Sequence, residues 1–202
     1  MIKNIIEELD IRGHLQVSKL FRDGKEELIF DDHNIIVSGM GVALAHLFSL
    51  SGSDSVLDYQ IDRFQIGVSG DENYENVQRN KLLGPLSSQL EYVGYAGDLL
   101  TASAYQIRDN SIVSFEEWYG MIPQHNVTRI DDNTVRYTIF IDQESCNNLN
   151  RGSDLYLNEI GLFIRNIKKN YPEAPILAAY RVFSDVRKTD DFALVFRWSL
   201  TF

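Results

Sequence analysis

The eleven residues from Phe192 to Phe202, FALVFRWSLTF, alternate strictly between two kinds of side chain. Side chains of a β-strand point alternately to opposite faces, so this period of two places one complete apolar row on one face. The members of that row are Phe192, Leu194, Phe196, Trp198, Leu200 and Phe202. The pattern predicts a strand whose apolar row is central to a hydrophobic core.

The opposite face of the same strand is only moderately apolar. It carries Ala193, Val195 and Arg197. We expect this face to lie at the surface or at a contact between copies, with Arg197 as a candidate for an interface ion pair.

Two hairpins are predicted from turn chemistry. ILAAYRVF (176–183) precedes the polar segment RKTDD (187–191), so we expect this strand to pair with the strand at 192–202 through that turn. Residues 11–36 contain two apolar runs separated by Asp23-Gly24, a strong hairpin signal.

One helix is predicted after the first hairpin. Ser38 is a candidate N-cap, and the apolar residues that follow it have helical spacing over about a dozen residues. Those apolar positions are Met40, Val42, Ala43, Leu44, Leu47 and Phe48. We expect this helix to lie over a sheet.

The fold class follows from at least seven predicted strands and one helix. This balance is typical of a mainly β protein, and we predict an antiparallel β-sandwich with one short helix packed on it. Residues 1–202 read as a single domain, in which residues 1–10 are a candidate N-terminal arm. Residues 71–130 have no sustained period and predict a long irregular middle insertion, with one turn of helix near residues 115–119.

The charge balance and the cysteine content argue against several classes of function. The 19 basic residues against 29 acidic ones give a net charge of −10, which argues against a protein that binds nucleic acid by neutralising its phosphates. The same charge gives no support for binding to an anionic membrane. Cys146 is the only cysteine, so neither an intramolecular disulfide nor a thiolate zinc site is expected. The sequence predicts neither a signal peptide nor a membrane-spanning helix.

Candidate chemistry is sparse. The four histidines lack metal-ligand spacing, and most paired acids stand at predicted turns, so we expect no metal, no cofactor and no enzymatic activity. The strongest remaining candidate is SFEEWYG, where Glu116 and Glu117 precede Trp118 and Tyr119. These aromatic rings have the chemistry to stack on a sugar, although packing in a core or an interface is the commoner use of such residues.

Several motifs in order resemble a family of small virion structural proteins of tailed bacteriophages. They are HNIIVSGMGVALAHLFS (33–49), DRFQIGVSG (62–70), RYTIFID (136–142), LNEIGLFIRN (157–166) and ILAAYRVFSDVRKTDDFALVFRWSLTF (176–202). The resemblance implies a structural component of the tail, neck or baseplate, such as a fibre or fibre-attachment protein. It also implies contacts with other virion proteins and with copies of itself, as a homotrimer, after assembly in the host cytoplasm.

Two alternatives stay open at this point. The first is a receptor-binding or glycan-cleaving module at a fibre tip, which would use residues 71–130 and in particular Glu116, Glu117, Trp118 and Tyr119. The second is a capsid decoration protein, which only the location of the chain on the particle would distinguish.

Overall fold

A computed structural model describes residues 11–49, 56–86, 105–106, 118–147, 156–164 and 175–202. The described chain contains ten strands and one α-helix, α1 (Ser38–Phe48). The strands are β1 (Arg12–Phe21), β2 (Glu26–Ile36), β3 (Ile61–Gly67), β4 (Tyr105–Gln106), β5 (Trp118–Met121), β6 (Val127–Arg129), β7 (Thr134–Ile141), β8 (Leu157–Ile164), β9 (Ile176–Val186) and β10 (Phe192–Thr201).

All ten strands belong to one antiparallel sheet in the order β4-β5-β3-β8-β9-β2-β1-β10-β7-β6. β2 joins its two halves: residues 26–34 pair with β1, whereas only Ile35 and Ile36 pair with β9. β2 therefore passes from one half of the sheet to the other near its C-terminal end.

The two halves of this sheet curl over each other. Phe183 of β9 and Phe196 of β10 have ring centroids 5.6 Å apart, although β2 and β1 lie between their strands. In a flat sheet three strand spacings would separate such residues by about 14 Å. The predicted mainly β fold with one helix is confirmed, and the two layers of the sandwich are halves of one curled sheet.

β10 occupies the centre of one layer, between β1 and β7. Its predicted core row is buried, and Leu194, Phe196 and Trp198 have no exposed surface, whereas Phe202 is 45% exposed. Ala193 and Val195 on the opposite face are also buried within the chain, so the expectation that this face lies at the surface or at a contact between copies was wrong for these two residues.

The predicted pairing of the last two long strands is also wrong. β9 lies between β8 and β2, and β10 lies between β1 and β7. The β1–β2 hairpin takes the position between them, so residues 187–191 cross from one layer to the other instead of closing a hairpin. The Asp23-Gly24 hairpin is confirmed, with Gly24 at φ 85°.

Lys188 anchors this crossover from within. Its side chain is buried, and its Nζ donates to the carbonyl of Gln143 (3.3 Å), to Asn147 Oδ1 (2.9 Å) and to the carbonyl of Thr189 (2.8 Å). The lysine thus holds the segment after β7 against the crossover.

Burial lowers the pKa of Lys188 from 10.5 to about 8. Between these two values the unfolded chain binds more protons than the folded one, so stability rises with pH in that window. From pH 8 to pH 10 we expect Lys188 to add about 2 kcal/mol to the free energy of unfolding, as the difference between the wild-type chain and one without this lysine. Urea unfolding at a series of pH values measures this, and a Lys188→Met variant that keeps the same rise would contradict it.

Helix α1 begins one residue earlier than expected from its cap. Val37 is the N-cap and no side chain caps the helix, so the prediction of Ser38 as the cap was wrong. Met40 and Ala43 face the core. A Cβ on Gly39 would lie 2.0 Å from the Leu177 carbonyl oxygen, so glycine is required for α1 to begin against β9.

Candidate functional site

The sequence-predicted sugar-binding residues are only partly within the described chain. Glu116 and Glu117 lie outside it, and so does the side chain of Trp118. Residues 118–121 form strand β5, which corrects the predicted helical turn at 118–119. Tyr119 is 4% exposed and packs edge-on against Phe163, with ring centroids 5.0 Å apart, so its ring is part of a core cluster.

Arg197 binds a partner within its own chain. It forms a bidentate ion pair with Glu26 of β2, in which the Nη2 to Oε2 distance is 3.1 Å. Hydrogen bonds from Arg197 are the main cause of a lowered pKa for Glu26. Because β1 lies between β2 and β10, this ion pair reaches across β1 and joins β2 to β10.

Glu159, in the motif LNEIGLF, has a fully buried side chain that accepts hydrogen bonds from three donors. Oε1 accepts from the Gly84 amide (2.6 Å), and Oε2 accepts from the Leu83 amide (2.9 Å) and from the Tyr180 hydroxyl (2.8 Å). Burial, and next the charge of Glu159, raise the pKa of Tyr180, so its hydroxyl remains a donor. We call Glu159 with these three donors the Glu159 clamp.

Asn158 and two glycines extend this clamp. Asn158 Oδ1 accepts from the Gly70 amide (2.8 Å) and its Nδ2 donates to the Gly70 carbonyl (3.2 Å). A Cβ on Gly67 would lie 2.4 Å from Glu159 Oε1, and one on Gly161 would lie 2.7 Å from a Leu177 methyl group. Residues of two separate motifs, IGVSG and NEIG, therefore meet to hold the segment 67–86 on the sheet.

The loop at 71–86 is fastened at a second place by Glu75. Its carboxylate accepts from the Val182 amide and from Arg181 Nη1, both at 2.7 Å, and burial raises its pKa. Arg181 also pairs with Asp32 at 2.7 Å. Asp71 accepts from the Asn73 amide at 2.9 Å and caps a short helical turn, so its carboxylate serves the loop itself.

An apolar cleft of about 280 Å³ opens at one end of the sandwich. Helix α1 forms one wall, and residues from both layers of the sheet form the rest. The lining residues are Met40, Ala43, Leu44, Leu47, Tyr59, Gln60, Ile61, Gln124, Val127, Tyr137, Ile164 and Phe202. Burial raises the pKa of Tyr137 to about 12, which fits its apolar surroundings.

Large apolar side chains are exposed next to this cleft. Phe48, which follows Leu47 in α1, is 82% exposed, and Leu57, two residues before Tyr59, is 59% exposed. Phe202 lines the cleft and is 45% exposed. Exposed large apolar side chains of this kind are typical of sites of protein–protein contact. We call this surface the α1 cleft.

Comparisons with family models, with curated proteins and with solved structures found no match to this chain. No helix within the described ranges is long and apolar enough to cross a membrane. Among the same residues no group of three or more histidine, cysteine or acidic side chains is arranged to hold a metal ion.

Sequence reasoning missed both the Glu159 clamp and the α1 cleft. One signal for the cleft was present in the helix. Its apolar positions include Val42 and Phe48 as well as Met40 and Ala43, and this set is too wide to pack on a single sheet face. The exposure of Phe48 is the structural outcome of that excess.

Proposed function

We propose that this chain is a structural component of a tailed-phage virion that works in the tail, neck or baseplate through protein–protein contacts. The observation that carries the proposal is the α1 cleft, where Phe48, Leu57 and Phe202 expose apolar surface beside an apolar depression. Contact surfaces are built around such apolar centres, with polar residues at their rim.

The residues that carry the sequence resemblance support the same proposal. Asn158 and Glu159 point their side chains at the backbone of Gly70, Leu83 and Gly84 rather than at solvent. They hold a long loop rigidly against the sheet, which is a task of a scaffold. A structural protein needs such a fixed shape because its contacts require a preorganised surface.

The partners in this proposal are other virion proteins and further copies of the chain, assembled as a homotrimer. The net charge of −10 fits this use. Mutual repulsion of acidic surfaces limits non-specific association of chains before a specific contact forms.

Phe48→Glu tests the proposal at the α1 cleft. Phe48 is 82% exposed, so the substitution is expected to change the free energy of unfolding by less than about 0.5 kcal/mol. Loss of an apolar anchor at a contact costs about 2 kcal/mol or more, so incorporation into particles is expected to fall by about tenfold or more. Quantitative mass spectrometry of purified particles measures this.

Ser184→Glu is the matched control. Ser184 is exposed on β9, eight residues from Ile176, whose partner Ile164 lines the cleft. That offset is roughly 26 Å along the strand, so this added carboxylate should leave incorporation unchanged. Equal incorporation of both variants, or absence of the wild-type chain from particles, would refute the proposal.

A further inference from the structure

Two histidines of the β1–β2 hairpin lie directly opposite each other in the sheet. His14 of β1 is the register partner of His33 of β2. Opposite residues of an antiparallel pair have Cβ atoms about 4.5 to 5.5 Å apart, so two such side chains reach the same small ligand. The imidazole centroids are 5.8 Å apart, and the ring planes are inclined at 74° rather than stacked.

Solvent reaches both of these histidines. The His14 side chain is 41% exposed, and His33 is an exposed residue. His14 is also opposite Ser199 of β10, so the pair lies on the outer face of its layer, away from the apolar row of β10. Neither histidine lines the α1 cleft. A ligand can therefore bind the pair without any opening of the fold and independently of the cleft.

Asp31 holds the ring of His14. Asp31 Oδ1 is 2.7 Å from His14 Nε2, and Asp31 Oδ2 accepts from Gln16 Nε2 at 3.2 Å. A neutral imidazole that donates through Nε2 has its free lone pair on Nδ1. A carboxylate on the other ring nitrogen is the usual support of a metal-binding histidine, because it orients the ring and makes the ligating nitrogen more basic.

The backbone at His33 is held by a second carboxylate. Asp32 Oδ1 accepts from the His33 amide at 2.7 Å, and Asp32 Oδ2 pairs with Arg181 of β9 at 2.7 Å. Among the described residues no hydrogen bond restrains the His33 ring itself. The backbone is thus fixed, while the ring can turn toward His14.

The spacing of the two rings fits a single metal ion. Zinc–nitrogen bonds are about 2.0 to 2.1 Å long, which places the centroids of two imidazoles on one tetrahedral ion about 5 Å apart. The observed 5.8 Å is close to this value, and rotation of the His33 ring closes the difference. No group of three histidine, cysteine or acidic side chains in the described ranges is arranged to hold a metal ion, so water supplies the remaining ligands.

We propose that His14 and His33 bind one divalent transition-metal ion between them, with Asp31 as the positioning residue. Imidazole nitrogen favours ions such as Zn²⁺, Ni²⁺ and Cu²⁺, whereas Mg²⁺ and Ca²⁺ prefer oxygen. The four histidines lack metal-ligand spacing along the sequence, and the pairing of β1 with β2 creates that spacing in the fold. The proposal departs from the sequence-based expectation of no metal, and it does not depend on the proposed function.

Isothermal titration calorimetry of the full-length chain with ZnCl₂ tests the site. We expect one ion per chain at the tightest site, and His33→Gln is expected to weaken this binding by about tenfold or more. His125→Gln is the matched control and should leave the affinity unchanged. It also removes one exposed imidazole, but next to β6, which β7 and β10 separate from β1. Equal affinities of the two variants would overturn the proposal, and one ion for two chains would also overturn it by placing the ion between copies.

Asp31→Asn tests the positioning role and is expected to weaken zinc binding by about tenfold. Glu27→Gln removes the same charge from β2 at about 20 Å along the strand from His33, beyond the screening length of physiological salt, and should change nothing. Wild-type affinity in Asp31→Asn would refute the positioning role.

Long-range proton–nitrogen NMR of the wild-type chain gives a readout that does not depend on whether a variant folds. Of the four histidines, only His14 and His33 should show shifted ring-nitrogen resonances when zinc is added. Zinc that shifts neither of these rings would overturn the proposal.

Discussion

A chain that ends at Asp191 is expected to lose its cooperative fold, because strand β10 is paired on both sides. β10 pairs with β1 from Phe192 to Thr201 and with β7 from Leu194 to Thr201. Without it, both neighbours lose a complete row of backbone hydrogen bonds inside the sheet. Exposed sheet edges of this length also promote aggregation.

The apolar row of β10 adds an energetic reason. Leu194, Phe196, Trp198 and Leu200 are fully buried, and burying each such side chain contributes roughly 1.5 to 3 kcal/mol. The sum is comparable to the total stability of about 5 to 15 kcal/mol for a typical domain. Loss of the row should therefore leave no stable native state.

Circular dichroism and urea unfolding measure this result. The matched control lacks only Phe202, which is 45% exposed and donates its amide to the Asn133 carbonyl at 2.9 Å. We expect that variant to remain folded and to lose about 1 to 2 kcal/mol. A cooperative transition with the wild-type midpoint in the chain ending at Asp191 would contradict the central role of β10.

Strands and local turns were predictable from the sequence because their causes are local. The alternation in β7, and in β10 from Phe196 onward, comes from burial of one face, and the Asp23-Gly24 turn requires the positive φ that Gly24 adopts. These features depend on residues within a few positions of one another.

Pairing across the chain was not predictable in the same way. RKTDD has the polar residues of a hairpin turn, yet the same residues serve equally well in a crossover between layers. What decides between them is the β1–β2 hairpin, which lies more than 150 residues earlier in the chain and takes the positions beside both strands. The predicted hairpin failed because turn chemistry is local and strand order is not.

The Glu159 clamp was hidden for a related reason. Glu159 and Gly84 are 75 residues apart, and an acidic residue within an apolar strand gives no indication of which backbone amides it will meet. Gly67 was visible in the sequence as part of IGVSG, but the reason that a glycine stands there is the Glu159 carboxylate beside it. Sequence alone located the motif residues and left their partners unknown.

Glu159→Gln is expected to lower the free energy of unfolding by about 2 to 3 kcal/mol, although the two side chains have nearly the same shape. The Glu159 clamp has a donor at every contact: two backbone amides and the Tyr180 hydroxyl. Glutamine replaces one acceptor oxygen by an NH₂ group. Either orientation then points that NH₂ at the Leu83 or the Gly84 amide, leaving a buried N–H without an acceptor.

Hydrogen exchange distinguishes this mechanism from a general loss of stability. The amides of Leu83 and Gly84 should exchange faster in Glu159→Gln than global unfolding predicts, because the clamp releases the loop at 71–86 before the sheet opens. Glu144→Gln, at an exposed position, is the matched control and should change neither stability nor exchange. Unchanged protection of Leu83 and Gly84 in Glu159→Gln would mean that the loop is held by Glu75 and its neighbours instead. The carboxylate would then be a buried charge that the fold tolerates, because relief of its desolvation offsets the lost hydrogen bonds.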